Sequence, residues 1–191
     1  MRTVVLRAMA VLALAALASG CATAKKGYTL IEPRVTPIDE AYVIEPGLRW
    51  SSESTGKIET WTIDGVALER LVFFKGIEEG EPMIAAAGKD DKRPGFHVAL
   101  TLAEVAEFVV ESLYGGRLTA KDLRPAPFGG SPGFRFELAY YTRDGVNRRA
   151  LVAGAVLKNR LHVIVYDGTT LYHFEKYRKE AERVIDSIRL K

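Results

Sequence analysis

Between residues 134 and 166 the chain alternates apolar and polar side chains and reverses twice on turn-forming residues, a pattern that suits antiparallel strands and no helix. Phe134, Phe136, Leu138 and Tyr140 alternate with Arg135, Glu137, Ala139 and Tyr141. Strict period-two alternation puts the first set on one face of a sheet. Asp144-Gly145 then leads into a strand over residues 149–157, and Lys158-Asn159-Arg160 reverses it into another over 161–166. The pattern predicts a three-stranded meander. Gly154 falls mid-strand, where it weakens pairing unless another group packs close to the backbone. A helix over residues 171–188 is expected to follow. Its Phe174, Tyr177, Ala181, Val184 and Ile188 recur at spacings of three and four and form one buried stripe.

The first half carries compatible signals. Residues 42–44 and 48–50 flank Pro46-Gly47 and suggest a first strand broken by a turn. Residues 59–63 and 66–74 flank Asp64-Gly65, a dipeptide suited to a two-residue type I′ hairpin. Thr101-Leu102-Ala103-Glu104 is a capping box, so a helix starts there, and Gly115-Gly116 is placed to end it. Together these predict an α+β fold: an antiparallel sheet of hairpins and a C-terminal meander, packed by two helices, in a single domain on an N-terminal tether.

The N-terminus fixes where such a domain works. Arg2 and Arg7 precede an apolar stretch over residues 8–18, followed by Ser19-Gly20-Cys21, which is the layout of a secretory leader. The run is about half the ~20 residues a membrane-spanning helix needs. Cys21 is the single cysteine, so no disulfide can form within the chain. The segment resembles the lipobox of bacterial lipoproteins, although Ala18 stands where Leu is usual and Leu17 lies one place further back. That resemblance implies a leader over residues 1–20, removal of it before Cys21, and acylation of Cys21 as a membrane anchor. Ala22, rather than Asp, follows the cysteine, which by the same resemblance implies the periplasmic face of the outer membrane. Residues 21–41, polar and holding Pro33 and Pro37, are expected to be the lipidated tether, and 42–191 the domain.

Charge excludes one class of partner. Of 27 basic residues Arg2 and Arg7 belong to the leader, so 25 remain against 24 acidic ones. A nearly neutral surface lacks the basic field that nucleic acid selects. Chemistry is equally unsignalled. Gly129-Gly130-Ser131-Pro132-Gly133 satisfies G-x-S-x-G, but Pro125 and Pro127 precede it and a strand follows, whereas a nucleophile elbow needs a strand before and a helix after. Ser131 is therefore expected to be a turn residue. His97, His162 and His173 form no metal-ligating pair in sequence, and His162 opposes the phase of Leu161, Val163 and Val165, which predicts a solvent-facing side chain. Glu78, Glu79, Glu81, Asp90 and Asp91 lack the spacing of a calcium loop. No metal, cofactor or catalytic residue is expected. Arg143, Arg148, Arg149, Lys158 and Arg160 are expected at separate hairpin ends.

Aromatic residues exceed what a minimal core needs. Trp50, Trp61, Phe73, Phe74, Phe128, Tyr141 and Tyr166 include outward-phase positions. They present a partner surface, or both sheet faces are covered; the sequence leaves both open. On the first reading Phe128, in an expected loop over 125–132, and Tyr141 are the candidate partner contacts.

The phrases WTIDGVALERLVFFKGIEEGEPM (residues 61–83), PAPFGGSPGFRFEL (125–138), LHVIVYDG and the closing ERVIDSIRL resemble a group of uncharacterised proteobacterial envelope lipoproteins. That resemblance implies location and no activity. The meander running into a long helix is also similar to the PsbP/Mog1/DcrB-like α-β-α sandwich, whose members serve mostly as non-enzymatic accessory modules. The expected function is a lipid-anchored envelope module that binds or assembles another envelope protein. The rivals are a hydrolase using Ser131 and a carrier of a small apolar ligand held between helix and sheet.

Overall fold

A computed structural model of the chain describes residues 27–86, 93–115, 118 and 120–191. Cys21, the leader, Asp90, Asp91 and Gly116 lie outside the described residues. Among the described residues eleven strands and two helices follow in chain order: β1 (Thr29–Ile31), β2 (Thr36–Pro37), β3 (Tyr42–Ile44), β4 (Trp50–Thr55), β5 (Ile58–Thr62), β6 (Glu69–Ile77), α1 (Leu102–Tyr114), β7 (Lys121–Phe128), β8 (Ser131–Tyr141), β9 (Asn147–Leu157), β10 (Arg160–Thr169), α2 (His173–Asp186) and β11 (Arg189–Leu190). Eight strands form one antiparallel sheet in the order β1-β4-β5-β6-β10-β9-β8-β7, and β11-β3-β2 form a smaller one. The α+β class holds, as do the meander β8-β9-β10 and both packing helices.

Both faces of the large sheet are covered. On one, Leu71, Phe73, Leu151, Ala153, Ile164 and Tyr166 pack under α2 and the small sheet. On the other, Val72, Phe74, Phe134, Phe136, Val152, Val163 and Val165 pack under α1 and the segment holding Met83 and Phe96. The central strands are therefore apolar in both phases, which is how strands buried on two sides read in sequence. Coverage settles the fate of the aromatics. Trp50, Trp61, Phe73, Phe74, Phe128 and Tyr166 are all buried, and of that set only Tyr141 is exposed.

The turns show local chemistry at work. Lys158 and Asn159 both have positive φ, 49° and 62°, and join Leu157 to Arg160 as a two-residue reversal of the I′ kind. The Asp64-Gly65 connection differs from expectation. Trp61 pairs with Leu71, not with Leu68 as a two-residue loop would require. The buried Glu69 carboxylate explains the longer loop, since its Oε1 accepts hydrogen bonds from the backbone N–H groups of Ile63 and Asp64 at 2.6 and 2.9 Å and from the Thr62 hydroxyl at 2.8 Å. Helix α1 begins as expected, with Glu104 accepting from the Thr101 N–H at 2.7 Å while Thr101 accepts from Glu104. Its last turn ends on Gly115 in the left-handed region. Helix α2 starts at His173, two residues later than expected, and leaves Leu171 exposed.

Two segments are corrected. The part of the expected tether that is described carries β1, paired with β4, and β2, paired with β3, and it buries Ile38. The expected loop over 125–132 is instead the tip of the β7-β8 hairpin, with Pro125 opposite Phe134 and Pro127 opposite Pro132. Prolines are tolerated because β7 is an edge strand, where a missing donor breaks no ladder.

Gly154 has the close neighbours its position requires. A Cβ there would lie 2.7 Å from the His162 carbonyl oxygen and 2.7 Å from the Phe134 ring. Substitution by Ala forces backbone apart at the centre of the meander. Gly154→Ala is expected to destabilise by about 1–3 kcal/mol, measured as a lower urea midpoint with unchanged slope.

A candidate binding groove beside helix α1

Helix α1 sits over the β7-β8 end of the sheet and leaves a groove along its length. The first chamber, about 730 Å³, is lined by Leu100, Ala103, Ala106, Phe108, Leu118 and Leu123 among others. The capping box and the alternation of apolar positions on α1 make this wall: Val105 and Val109 point into the core, while Ala103 is left exposed at the groove. Glu104, Glu107 and Glu111 form its acidic edge. A second chamber of about 780 Å³ continues it, sharing Pro94, Glu111 and Leu118. Arg93, Ser112, Tyr114, Tyr140, Tyr141 and Arg143 line this one. Each volume is in the range that small-molecule sites occupy.

The two chambers differ chemically. The first is mainly apolar, whereas the second presents hydroxyls and guanidinium groups. The Ser112 hydroxyl is buried and has no hydrogen-bond partner among the described residues, while the buried Tyr140 hydroxyl lies against the Arg148 guanidinium. An unpaired buried hydroxyl costs roughly 1–3 kcal/mol. The Tyr114 and Tyr140 rings meet at a tilt of 57° with centroids 4.7 Å apart. Burial raises both hydroxyls above their ordinary pKa, with Asp167 adding to the effect and Arg70 and Arg148 opposing it. Both stay protonated near neutrality and so remain donors.

Beneath these tyrosines a charged row crosses the sheet. The Asp167 carboxylate accepts from Arg70 Nε at 2.8 Å and from Arg148 Nε at 2.9 Å, with a second short bond from Arg148. Asp167 is 1 % and Arg148 4 % exposed. Arg148 also donates to the Ala67 carbonyl at 2.6 Å. Burial disfavours the Arg70 charge, but Asp167 outweighs it and raises the pKa. Register alone assembles the row, because Asp167 lies opposite Arg70 and Tyr140 lies opposite Arg148.

The residues expected at a site are dispersed. Tyr141, 72 % exposed, stands beside the second chamber. Phe128 does not join it: it is 1 % exposed on the other face of the sheet, with its ring edge-on to Tyr42 at 5.3 Å. As an exposed partner contact it is corrected to a core residue. Ser131 pairs with Phe128 across a Gly129-Gly130 turn between antiparallel strands, the opposite of an elbow context. The histidines are separate from it and from one another. His97 contacts Glu79 at 2.7 Å, His173 contacts Thr169 at 2.9 Å, and His162 lies 3.3 Å from Asp39. His162 is 3 % exposed rather than solvent-facing, because the small sheet covers the face it occupies and sets Tyr42 against its ring. Among the described residues no group of His, Cys, Asp and Glu is placed to hold a metal ion, and no helix is long and apolar enough to cross a membrane.

No protein-family model matches the chain, and no curated protein does, so neither comparison supports the group of envelope lipoproteins suggested by its sequence phrases. Solved structures do match. The solution structure of the cyanobacterial PsbP (CyanoP) of Synechocystis sp. PCC 6803 aligns at a TM-score of 0.48 with 12 % identity, covering 92 % of this chain and 99 % of that one. LpqN, a protein involved in cell envelope biogenesis of Mycobacterium tuberculosis, aligns at 0.39 with 11 % identity, covering 89 % and 87 %. At these scores and identities neither likeness bears on what this chain binds.

Proposed function

We propose that this chain is a lipid-anchored bacterial envelope protein, held through Cys21 at the periplasmic face of the outer membrane, and that it acts as a non-catalytic binding module with the α1 groove as its binding face. The supporting observation is the pair of adjoining chambers along α1, one mainly apolar and one lined by the hydroxyl-bearing Ser112, Tyr114, Tyr140 and Tyr141. A site of this kind recognises rather than reacts, since it offers donors and apolar wall without a nucleophile held by a base. The apolar first chamber also favours the second reading, carriage of a small apolar ligand between helix and sheet.

Anchoring and binding are tested separately. Globomycin treatment or Cys21→Ser is expected to leave the leader uncleaved and to block acylation; a Cys21→Ser chain that is still cut before residue 21 and acylated ends the anchor reading. For binding, the tagged full chain is crosslinked in intact envelopes and compared with Ala103→Trp, which fills the groove from an exposed helix position. Loss of the crosslinked species in the variant is the expected result, and an unchanged set moves the binding face elsewhere. Stoichiometric fluorophosphonate labelling that disappears in Ser131→Ala would establish the hydrolase instead.

A further inference from the structure

The eight-stranded sheet ends on β7, and the backbone of that edge lacks donors in a regular way. Phe128 pairs with Ser131 across Gly129-Gly130, whose φ angles are 60° and 91°. A two-residue loop of that hand is flanked by a hydrogen-bonded pair, so the N–H groups of Phe128, Ala126 and Arg124 point at β8. The alternate positions between them direct their backbone groups outward. Both of those, 125 and 127, are proline. From Arg124 to Phe128 the outer edge therefore presents carbonyls and no N–H. Just before it the register shifts between Lys121 and Arg124, and Asp122 stands at φ 54°, so a bulge interrupts the rest of the strand. We infer that the β7 edge is closed against strand addition, and that Pro125 and Pro127 are the residues that close it.

An unprotected edge is a template on which another strand pairs. The opposite edge of the sheet, β1, has three residues, whereas β7 has eight, so β7 is the edge long enough to accept one. Its second copy is the strand always at hand. Two copies set antiparallel about Ala126 would bring position 125 of each opposite position 127 of the other. Four main-chain hydrogen bonds would form there, and every N–H they need belongs to a proline. The exposed charges of Lys121, Asp122 and Arg124 discourage pairing beside it. Leu123 of this strand lines the first chamber, so a partner seated in the groove gains no ladder from β7 and is held through side chains. That last consequence rests on the groove being the binding face; closure of the edge does not.

The test compares the full chain with Pro125→Val/Pro127→Val by sedimentation equilibrium in density-matched detergent, with amide hydrogen exchange followed residue by residue. The double variant is expected to self-associate at least about tenfold more tightly than wild type, because four main-chain hydrogen bonds become available. The new amides at positions 125 and 127 are expected to gain protection as the chain associates. Pro127→Val alone restores two of the four bonds and is expected to fall between wild type and the double variant; it also carries the test should the double variant lose its fold. Folded variants that stay as dissociated as wild type overturn the inference. So does association that leaves the amides at 125 and 127 exchanging freely. Neither readout involves Ala103 or the groove, so failure of the groove as a binding face leaves this result standing.

Discussion

Asp167→Asn is expected to destabilise the folded chain by about 3–5 kcal/mol, the scale on which breaking a buried ion pair operates. Asp167 pairs with both the Arg70 and Arg148 guanidinium groups, and Arg148 is buried with it. An amide keeps one acceptor oxygen but turns two N–H donors toward cations that need acceptors, so Arg148 is left as an uncompensated buried charge. Arg70 behaves differently, because its side chain is 43 % exposed and water can replace the lost partner. Arg70→Gln is expected to cost under about 1 kcal/mol. The decisive measurement is a double-mutant cycle by urea denaturation on Asp167→Leu and Arg148→Met. Each single change is expected to be severe, while the pair together recovers most of the loss, since well-packed apolar side chains often replace a buried pair at no cost. Additive losses would mean that the two residues act independently and that the row is only packing.

That row shows where sequence reading reaches its limit. The capping box at Thr101, the stripe from Phe174 to Ile188 and the alternation from Phe134 to Tyr140 are local patterns, and each produced its element. Arg70, Asp167, Arg148 and Tyr140 come from four strands and carry no shared local signal; only the registers β6-β10, β10-β9 and β9-β8 bring them together. His162 shows a different limit. Its neighbours Leu161, Val163 and Val165 suggested one apolar face, yet Ile164 and Tyr166 share the phase of His162 and are also buried. Apolar residues in both phases signal a strand covered on two sides, and this same signal was present in Leu151, Ala153 and Ala155 beside Ala150 and Val152. Strand β7 was hidden because Pro125 and Pro127 suppress a strand reading except at an edge, and edge position is a property of the assembled sheet. The groove was not legible for the same reason: its walls are α1, β7 and the segment around Pro94, joined only by packing.

Phe128→Ala and Tyr141→Ala, the two positions singled out as partner contacts, are expected to separate cleanly. Phe128 ends the β7 edge strand and buries its ring between the sheet and Tyr42 of the small sheet. Its neighbour Gly129, at φ 60°, turns the chain so closely that a Cβ there would meet the Ile188 side chain at 2.8 Å, leaving little room for the site to collapse after truncation. The expected loss is therefore at the usual scale for a buried Phe, about 3–5 kcal/mol, seen as a lower urea midpoint. Proteolysis should first reach the β2-β3-β11 sheet, which Phe128 helps to hold. Tyr141 is exposed and stands at the second chamber, so Tyr141→Ala is expected to change stability by no more than about 0.5 kcal/mol and to weaken groove-dependent crosslinking in the envelope. The reverse outcome, a stable Phe128→Ala chain that loses its partner and a Tyr141→Ala chain that keeps it, would place the contact on the α2 face and remove the groove from the binding surface.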